Sequence, residues 1–318
     1  MPLPEASSTA SAKARGLLLG VTLGDAMGAA FEGHRHVDGE QLLQQERATT
    51  RLRYTDDTAL TLALARHLAE RSNPAPIDED SLAVELAREW QREPWRGYGR
   101  GTREVFERVL RGTAWPEASG GGFQGRGSYG NGAAMRVAPV ALVGTSPQHV
   151  VELARRSARV THAHPDGQLG AMPQSCAVFL ALHSDPEVPL ERGRFLHRLA
   201  RTVNHAEWRS RLEEVRELLD EASPASAAAR LGNDATAGAS VPLALLAFLR
   251  HPDHPAEAVR YAIRAGGDTD TTAAMAAAPT AARTGERGLP SAWLNRLENA
   301  ATIGALAEAL AERVPRCR

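Results

Sequence analysis

Two acidic clusters lie far apart in the chain, Tyr54-Thr55-Asp56-Asp57-Thr58 and Gly266-Gly267-Asp268-Thr269-Asp270-Thr271-Thr272. Each directly precedes a stretch with helical spacing, so each reads first as an N-cap, where a side-chain oxygen accepts an orphan backbone N–H. One cap needs one such residue. Here each cluster offers two carboxylates with flanking hydroxyls, and gathered like charges are costly unless a cation neutralises them. Oxygen donors without cysteine or consistently placed histidine suit Mg2+ or Mn2+ rather than Zn2+. The pairs His34-x-His36 and His162-x-His164 lack further ligands at zinc spacing. Taken singly, either cluster reads equally well as a cap; the loop that follows tips the pair toward a metal site.

That loop is Gly125-Arg126-Gly127-Ser128-Tyr129-Gly130-Asn131-Gly132, running into Ala133-Ala134-Met135-Arg136. It contains a literal G-x-G-x-x-G, but the dinucleotide fingerprint requires a hydrophobic strand before it. What precedes it is Ser119-Gly120-Gly121-Gly122-Phe123-Gln124, a loop, so a Rossmann reading fails. A glycine-rich segment feeding a helix can still cradle a pyrophosphate through backbone N–H groups.

The elements that position these residues read as helices. Leu60, Leu64 and Leu68 fall at i, i+4, i+8; Val105, Phe106, Val109 and Leu110 form a second stripe; Ile303, Leu306, Leu310 and Val314 a third. Strand alternation hardly appears, and Gly- or Pro-rich punctuation separates the stripes. Gly20, Gly24 and Gly28 recur one turn apart, the pattern of a close helix-packing face. The expected fold is all-α, a compact orthogonal multi-helix globule. Residues 1–14 read as a flexible tail, with the first helix from Arg15 and a single domain over 15–318.

Composition bounds the rest. The chain has 318 residues, 43% apolar and 24% charged, with a formal net charge of −1, which excludes disordered, collagenous and disulfide-scaffold classes. Its 37 basic residues, 36 Arg and Lys13, are balanced by 38 acids, and aromatics are only 5%, too few for a base-stacking nucleic-acid surface. The apolar run from Val241 to Leu249 is far short of the roughly 20 residues of a membrane span. Asp25 interrupts an apolar stretch after Arg15 that imitates a signal peptide. Two cysteines, Cys176 and Cys317, fit a reduced, cytoplasmic location.

From Gly16 to Arg283 these motifs resemble, in order, those of the ADP-ribosylglycohydrolases, the group holding the dinitrogenase-reductase-activating glycohydrolase and the ADP-ribosyl-acceptor hydrolases. The matching pieces are L-G-D-A-x-G within Gly16 to Gly28, Y-T-D-D-T at 54–58, G-Y-G at 97–99, G-S-Y-G-N-G-A-A-M-R-V-A-P at 127–139, T-H at 161–162 and G-G-D-T-D-T at 266–271. Each is weak alone; six in register are specific.

The resemblance implies an all-α enzyme with two divalent cations, Mg2+ or Mn2+, at the bottom of a cleft. It implies Thr55, Asp56, Asp57, Asp268, Asp270 and Thr271 as ligands. Phe123, Gly127, Ser128, Tyr129, Gly130, Asn131 and His162 would hold ADP-ribose. Glu32 and Asp268 would stand nearest the chemistry. Glu32 resembles the glutamate of the branch acting on serine-linked ADP-ribose and poly(ADP-ribose), which also carries F-x-G-x-G-S-Y-G-N-G as at 123–132. The implied reaction is hydrolysis of the C1″ O-glycosidic bond, in which a metal pair holds ribose hydroxyls and acidifies water while a carboxylate outside the metal sphere handles protons. Alternatives are an ADP-ribosyl-arginine or O-acetyl-ADP-ribose hydrolase, or a non-catalytic ADP-ribose binder. The implied partners are ADP-ribose and ADP-ribosylated proteins, with no membrane and no nucleic acid beyond poly(ADP-ribose) itself. One departure from the family pattern is Pro279, expected to kink or end the helix after the second cluster early.

Overall fold

Four glycines, Gly16, Gly20, Gly24 and Gly28, share one helix face because a four-residue spacing is only slightly more than one turn. Against that face the second acidic cluster is mounted. A Cβ on Gly28 would come within 2.5 Å of Asp270 Cα, and one on Gly24 within 2.8 Å of Ala274 Cα. Only glycine permits that approach, so the expected packing face is present.

The computed structural model describes residues 4–71, 77–122, 125–220 and 223–312. The helices are α1 (Pro4–Gly28), α2 (Gly39–Ala48), α3 (Asp56–Glu70), α4 (Glu79–Arg92), α5 (Arg100–Leu110) and α6 (Trp115–Gly120). Next come α7 (Gly132–Met135), α8 (Val140–Val143), α9 (Pro147–Arg159), α10 (Pro165–Leu182), α11 (Arg192–Val203) and α12 (Ala206–Glu217). The last are α13 (Pro224–Leu231), α14 (Ala237–Arg250), α15 (Pro255–Arg264), α16 (Thr269–Thr284), α17 (Ser291–Leu294) and α18 (Ala300–Ala311). No strand occurs among the described residues; two isolated bridges join Leu52 to Leu297 and Gly130 to Thr236.

Helix α16 is the hub. Every residue from Thr269 to Arg283 is buried, and α1, α10, α14 and α15 pack around it. Its alanines let these neighbours approach closely. At its far end the buried Arg283 is satisfied by Asp253 at 2.6 Å and the Asp185 carbonyl at 2.8 Å. No described helix is long and apolar enough to cross a membrane. Cys176 is buried and free; Cys317 lies outside the described residues.

Two expectations are corrected. The first helix begins at Pro4, not Arg15: Ala14 is buried and Lys13 donates to the carbonyls of Leu182 and Ser184 at 2.7 and 2.9 Å. The Ser/Ala/Glu composition read as a tail is also compatible with helix, and those anchors hold it there. Pro279 does not end α16, which continues to Thr284. A proline frees the carbonyl four residues before it, here that of Met275, and Gln174 Nε2 donates to that carbonyl at 2.8 Å.

Candidate metal centre and binding cleft

Both acidic clusters sit at helix N-termini, and the capping duty is light. Thr55 caps α3, its hydroxyl accepting from Asp57 N at 3.3 Å, which leaves Asp56 and Asp57 in the first turn with their carboxylates uncommitted to the cap. Asp268 occupies the cap position of α16 without making a side-chain capping bond. The positive ends of the two helices partly offset the charge gathered between them.

Asp25 on α1 fixes the first cluster. Fully buried, it accepts from the backbone N–H of Thr55 and of Thr58 at 3.0 Å and from the Thr58 hydroxyl at 2.5 Å. This is the supporting role its type suggests. Burial raises its carboxyl to about 6, against the pull of the threonine bonds. From the other side Arg96 holds the segment. Its guanidinium donates to the Tyr54 carbonyl at 2.8 Å, pairs with Glu298 and lies 3.8 Å over the Tyr54 ring, while its own carbonyl accepts from Asp56 N at 2.8 Å.

The second cluster is placed by backbone that only glycine can form. Gly266 and Gly267 have φ of 74° and 78°, and a Cβ on Gly266 would lie 2.6 Å from the His34 carbonyl oxygen. Gly267 N donates to His34 O at 2.7 Å, and Gly33 N donates to Gly267 O at 2.9 Å. That pairing brings Glu32 beside the cluster. Glu32, Asp268 and Asp270 offer carboxylate oxygens within 4.8 Å of one another, a group that could hold a metal ion. Glu32 therefore stands beside Asp268 and Asp270, as the resemblance implies, although it lies outside both clusters in sequence. Asp57 joins through Thr271, whose hydroxyl donates to Asp57 Oδ2 at 3.3 Å.

Burial and mutual repulsion raise Asp56, Asp57 and Asp270 well above the usual carboxylate range. Burial, then Asp25, raises Asp56 to about 8; burial, then Asp268, raises Asp270 to about 9. Asp57 is pushed well up by burial and Asp270, and the more exposed Glu32 upward by burial and Asp268. Among the described residues Asp57 Oδ1 is buried with no hydrogen-bond partner. An orphan oxygen in a set of carboxylates and threonine hydroxyls is the donor chemistry of a hard divalent cation. No histidine belongs to the group, so the zinc alternative gains nothing.

A cleft of about 750 Å³ opens above these acids. Thr55, Asp56, Asp57, Asp268, Asp270, Thr271 and Glu32 line it, together with Ser128, Tyr129, Gly130, Asn131 and His162. The loop is held from below: Asn131 N donates to Ala235 O at 2.9 Å, and Asn131 Nδ2 donates to Asp268 Oδ2 at 2.6 Å and to Ser240 at 3.0 Å. Gly127 has φ 74° and packs against the backbone of Ala163 and His164 behind the lining. Tyr129 is half-exposed, edge-on to His164 with ring centroids 5.9 Å apart, so His164 helps shape the rim. Phe123 lies outside the described residues.

Sequence reasoning missed the segment from Asn233 to Thr236, which lines the cleft beside the 128–131 loop, bridged to it at Gly130 and Thr236. Asp234 Oδ1 accepts from Thr236 N at 2.8 Å, and the Asn233 carbonyl accepts from Asp268 N at 2.8 Å. The signal available was Gly232-Asn233-Asp234, which reads only as a turn.

The chain is similar to known proteins over most of its length. The ADP-ribosylglycohydrolase family profile matches residues 6–318. The chain is 37% identical over 336 residues to ADP-ribosylhydrolase ARH3 of Mus musculus, covering 93% of this chain and 90% of that one. It is 34% identical to the Homo sapiens protein of the same name, covering 93% and 92%. The ADP-ribosyl-[dinitrogen reductase] glycohydrolase of Rhodospirillum rubrum is 27% identical, covering 90% of each. Among solved structures, an ADP-ribosylglycohydrolase-related protein complex superposes with a TM-score of 0.74 at 26% identity, covering 97% of this chain and all of that one.

Proposed function

The chain belongs to the ADP-ribosylglycohydrolase family, and from that premise we propose that this glycosidase-type ADP-ribosyl hydrolase cleaves the C1″–O bond joining ADP-ribose to protein serine, and the corresponding bond of poly(ADP-ribose). The observation that carries the reading is the convergence of Glu32, Asp268 and Asp270 with Asp56 and Asp57 on one cleft. Support for the serine linkage comes from Glu32 and the stretch 123–132, which resemble that branch of the family.

Thr55, Asp56, Asp57, Asp268, Asp270 and Thr271 would hold two divalent cations, Mg2+ or Mn2+. Bound there, the cations would supply Lewis acidity toward ribose hydroxyls and water and compensate the gathered carboxylates. The remaining work belongs to the chain. Ser128 to Asn131 and His162 hold the diphosphate and adenosine and orient C1″ toward the acids. Asn131 keeps Asp268 in place through its 2.6 Å bond. Glu32, the exposed member of the carboxylate group and raised above its ordinary range, retains a proton longer than a free glutamate. It is thus suited to protonate the departing serine oxygen or take a proton from the attacking water.

Release of ADP-ribose from serine-linked and arginine-linked peptides, each with Mg2+ and with EDTA, tests the reading. Mg2+-dependent release from the serine peptide is expected. Preferential turnover of the arginine peptide, or full activity in EDTA, would overturn it.

A further inference from the structure

His162 lines the cleft, and what it offers a ligand depends on which ring nitrogen carries its proton. Behind it lies a buried arginine with no carboxylate partner among the described residues. Arg136, 1% exposed, donates from Nη1 to the Gly132 carbonyl at 2.9 Å and from Nη2 to the Ser157 carbonyl at 2.9 Å. Nη2 also donates to the Thr161 hydroxyl at 2.8 Å. A guanidinium only donates, so Thr161 Oγ1 accepts there and has one proton left to give.

Two acceptors compete for that proton. The Ala158 carbonyl is 3.5 Å away, at the limit of a hydrogen bond, whereas His162 Nδ1 is at 2.8 Å. The shorter bond wins, so Nδ1 accepts. The reverse arrangement would have Oγ1 accept from both Arg136 and His162 and leave its own proton on the 3.5 Å contact. Packing keeps the ring where it is: a Cβ on Gly132 would come within 3.2 Å of His162 Cε1, and one on Gly167 within 2.9 Å of Cδ2. Turning the ring over would also break the bond to Thr161. Nε2 faces Gly132, another residue lining the cleft, and makes no hydrogen bond among the described residues.

We propose that Arg136 and Thr161 are positioning residues that hold His162 as a neutral imidazole with its proton on Nε2, a standing hydrogen-bond donor to an acceptor oxygen of the ligand. Burial and the charge of Arg136 act in the same sense, lowering His162 to about 3 and keeping the ring neutral at physiological pH. For the ligand's identity the inference rests on reading the cleft as an ADP-ribose site; for the tautomer it does not.

The test is a nitrogen-15 spectrum of the histidine rings in the full chain at about pH 7, with the His162 signals identified by their loss in His162→Gln. A protonated Nε2 and an unprotonated, hydrogen-bonded Nδ1 are expected; a proton on Nδ1 overturns the proposal. Calorimetry with ADP-ribose supplies the second readout. Thr161→Val keeps the shape and removes the hydroxyl, and should weaken binding about 3- to 10-fold, the worth of one hydrogen bond. Thr161→Ser, which keeps the hydroxyl, should restore it. Wild-type affinity in Thr161→Val, or equal weakening in both variants, overturns the relay. A wild-type chain that does not bind ADP-ribose overturns the function reading instead, and the ring spectrum still decides the tautomer.

Discussion

Asp57 has one carboxylate oxygen that no donor among the described residues reaches, while the other accepts from the hydroxyls of Thr55 and Thr271, each at 3.3 Å. Its charge is costly without a cation, so Asp57→Asn should separate stability from function. In excess chelator the variant should melt no lower than wild type, because one buried repulsion is gone. With Mg2+ it should gain little, and turnover should collapse. Scanning calorimetry in both conditions checks this, and a variant as responsive to Mg2+ as wild type would remove Asp57 from the ligand set. Glu32 answers a different question. Glu32→Gln should lower kcat by about 10^2- to 10^4-fold, the usual share of a general acid or base, with ADP-ribose affinity nearly unchanged. If cation affinity falls in step with kcat, Glu32 is a ligand and its closeness to Asp268 and Asp270 is the reason. The acids of both clusters were legible because like charges in one short segment demand an explanation. The nearness of Glu32 was legible only through the family resemblance, since it depends on backbone pairing between Gly33 and Gly267, and no local pattern encodes that.

Helices α1 and α16 carry the supporting Asp25 and the second cluster, so the distance between them sets the site. A methyl at Gly24 would collide with the Ala273 carbonyl and press on Ala274 Cα, all of it backbone that cannot turn aside. Gly24→Ala should therefore cost about 1–3 kcal/mol, the range for overpacking, and should also weaken cation binding. Gly39→Ala is the control: its Cβ would meet only the Arg264 side chain, at 3.5 Å, and should be neutral or slightly stabilising. Urea unfolding of both distinguishes packing from helix propensity. At this scale the sequence was a good guide where periodicity is local, as in the Leu60-Leu64-Leu68 stripe of α3 and the glycine face of α1. It failed where a distant side chain decides. Pro279 breaks a helix on paper, and the Gln174 bond that accommodates it comes from α10. The start of α1 likewise depends on carbonyls at Leu182 and Ser184. The wall from Asn233 to Thr236 faces the acids only because Asp268 N and Asn131 N both donate to that segment.

The acids at the hub make the stability of the whole molecule depend on cation and pH together. In the unfolded chain each carboxyl returns to about 4. In the folded, cation-free protein Asp56 stands at about 8, Asp270 at about 9 and Asp57 well above the usual range. Between roughly pH 4 and pH 9 the folded state therefore binds more protons than the unfolded one, and stability falls as pH rises through that window. The buried His162, lowered to about 3, acts in the opposite sense up to about pH 6.5, where the unfolded imidazole loses its proton. Glu79, held near 2 by Arg156, loses its contribution only as pH drops below about 4.5. A divalent cation takes the place of the protons and cancels the repulsion, so its binding should release protons and strengthen as pH rises. Melting temperatures from about pH 6.5 to about pH 9 in EDTA should accordingly descend, while those in Mg2+ stay flatter, and the gap between the curves should widen with pH. The widening separates this from a general alkaline loss of stability, which would lower both curves alike. A gap that is constant or narrows with pH would mean that the carboxylates around α16 do not hold the cation, and that the cleft takes its charge compensation from somewhere else.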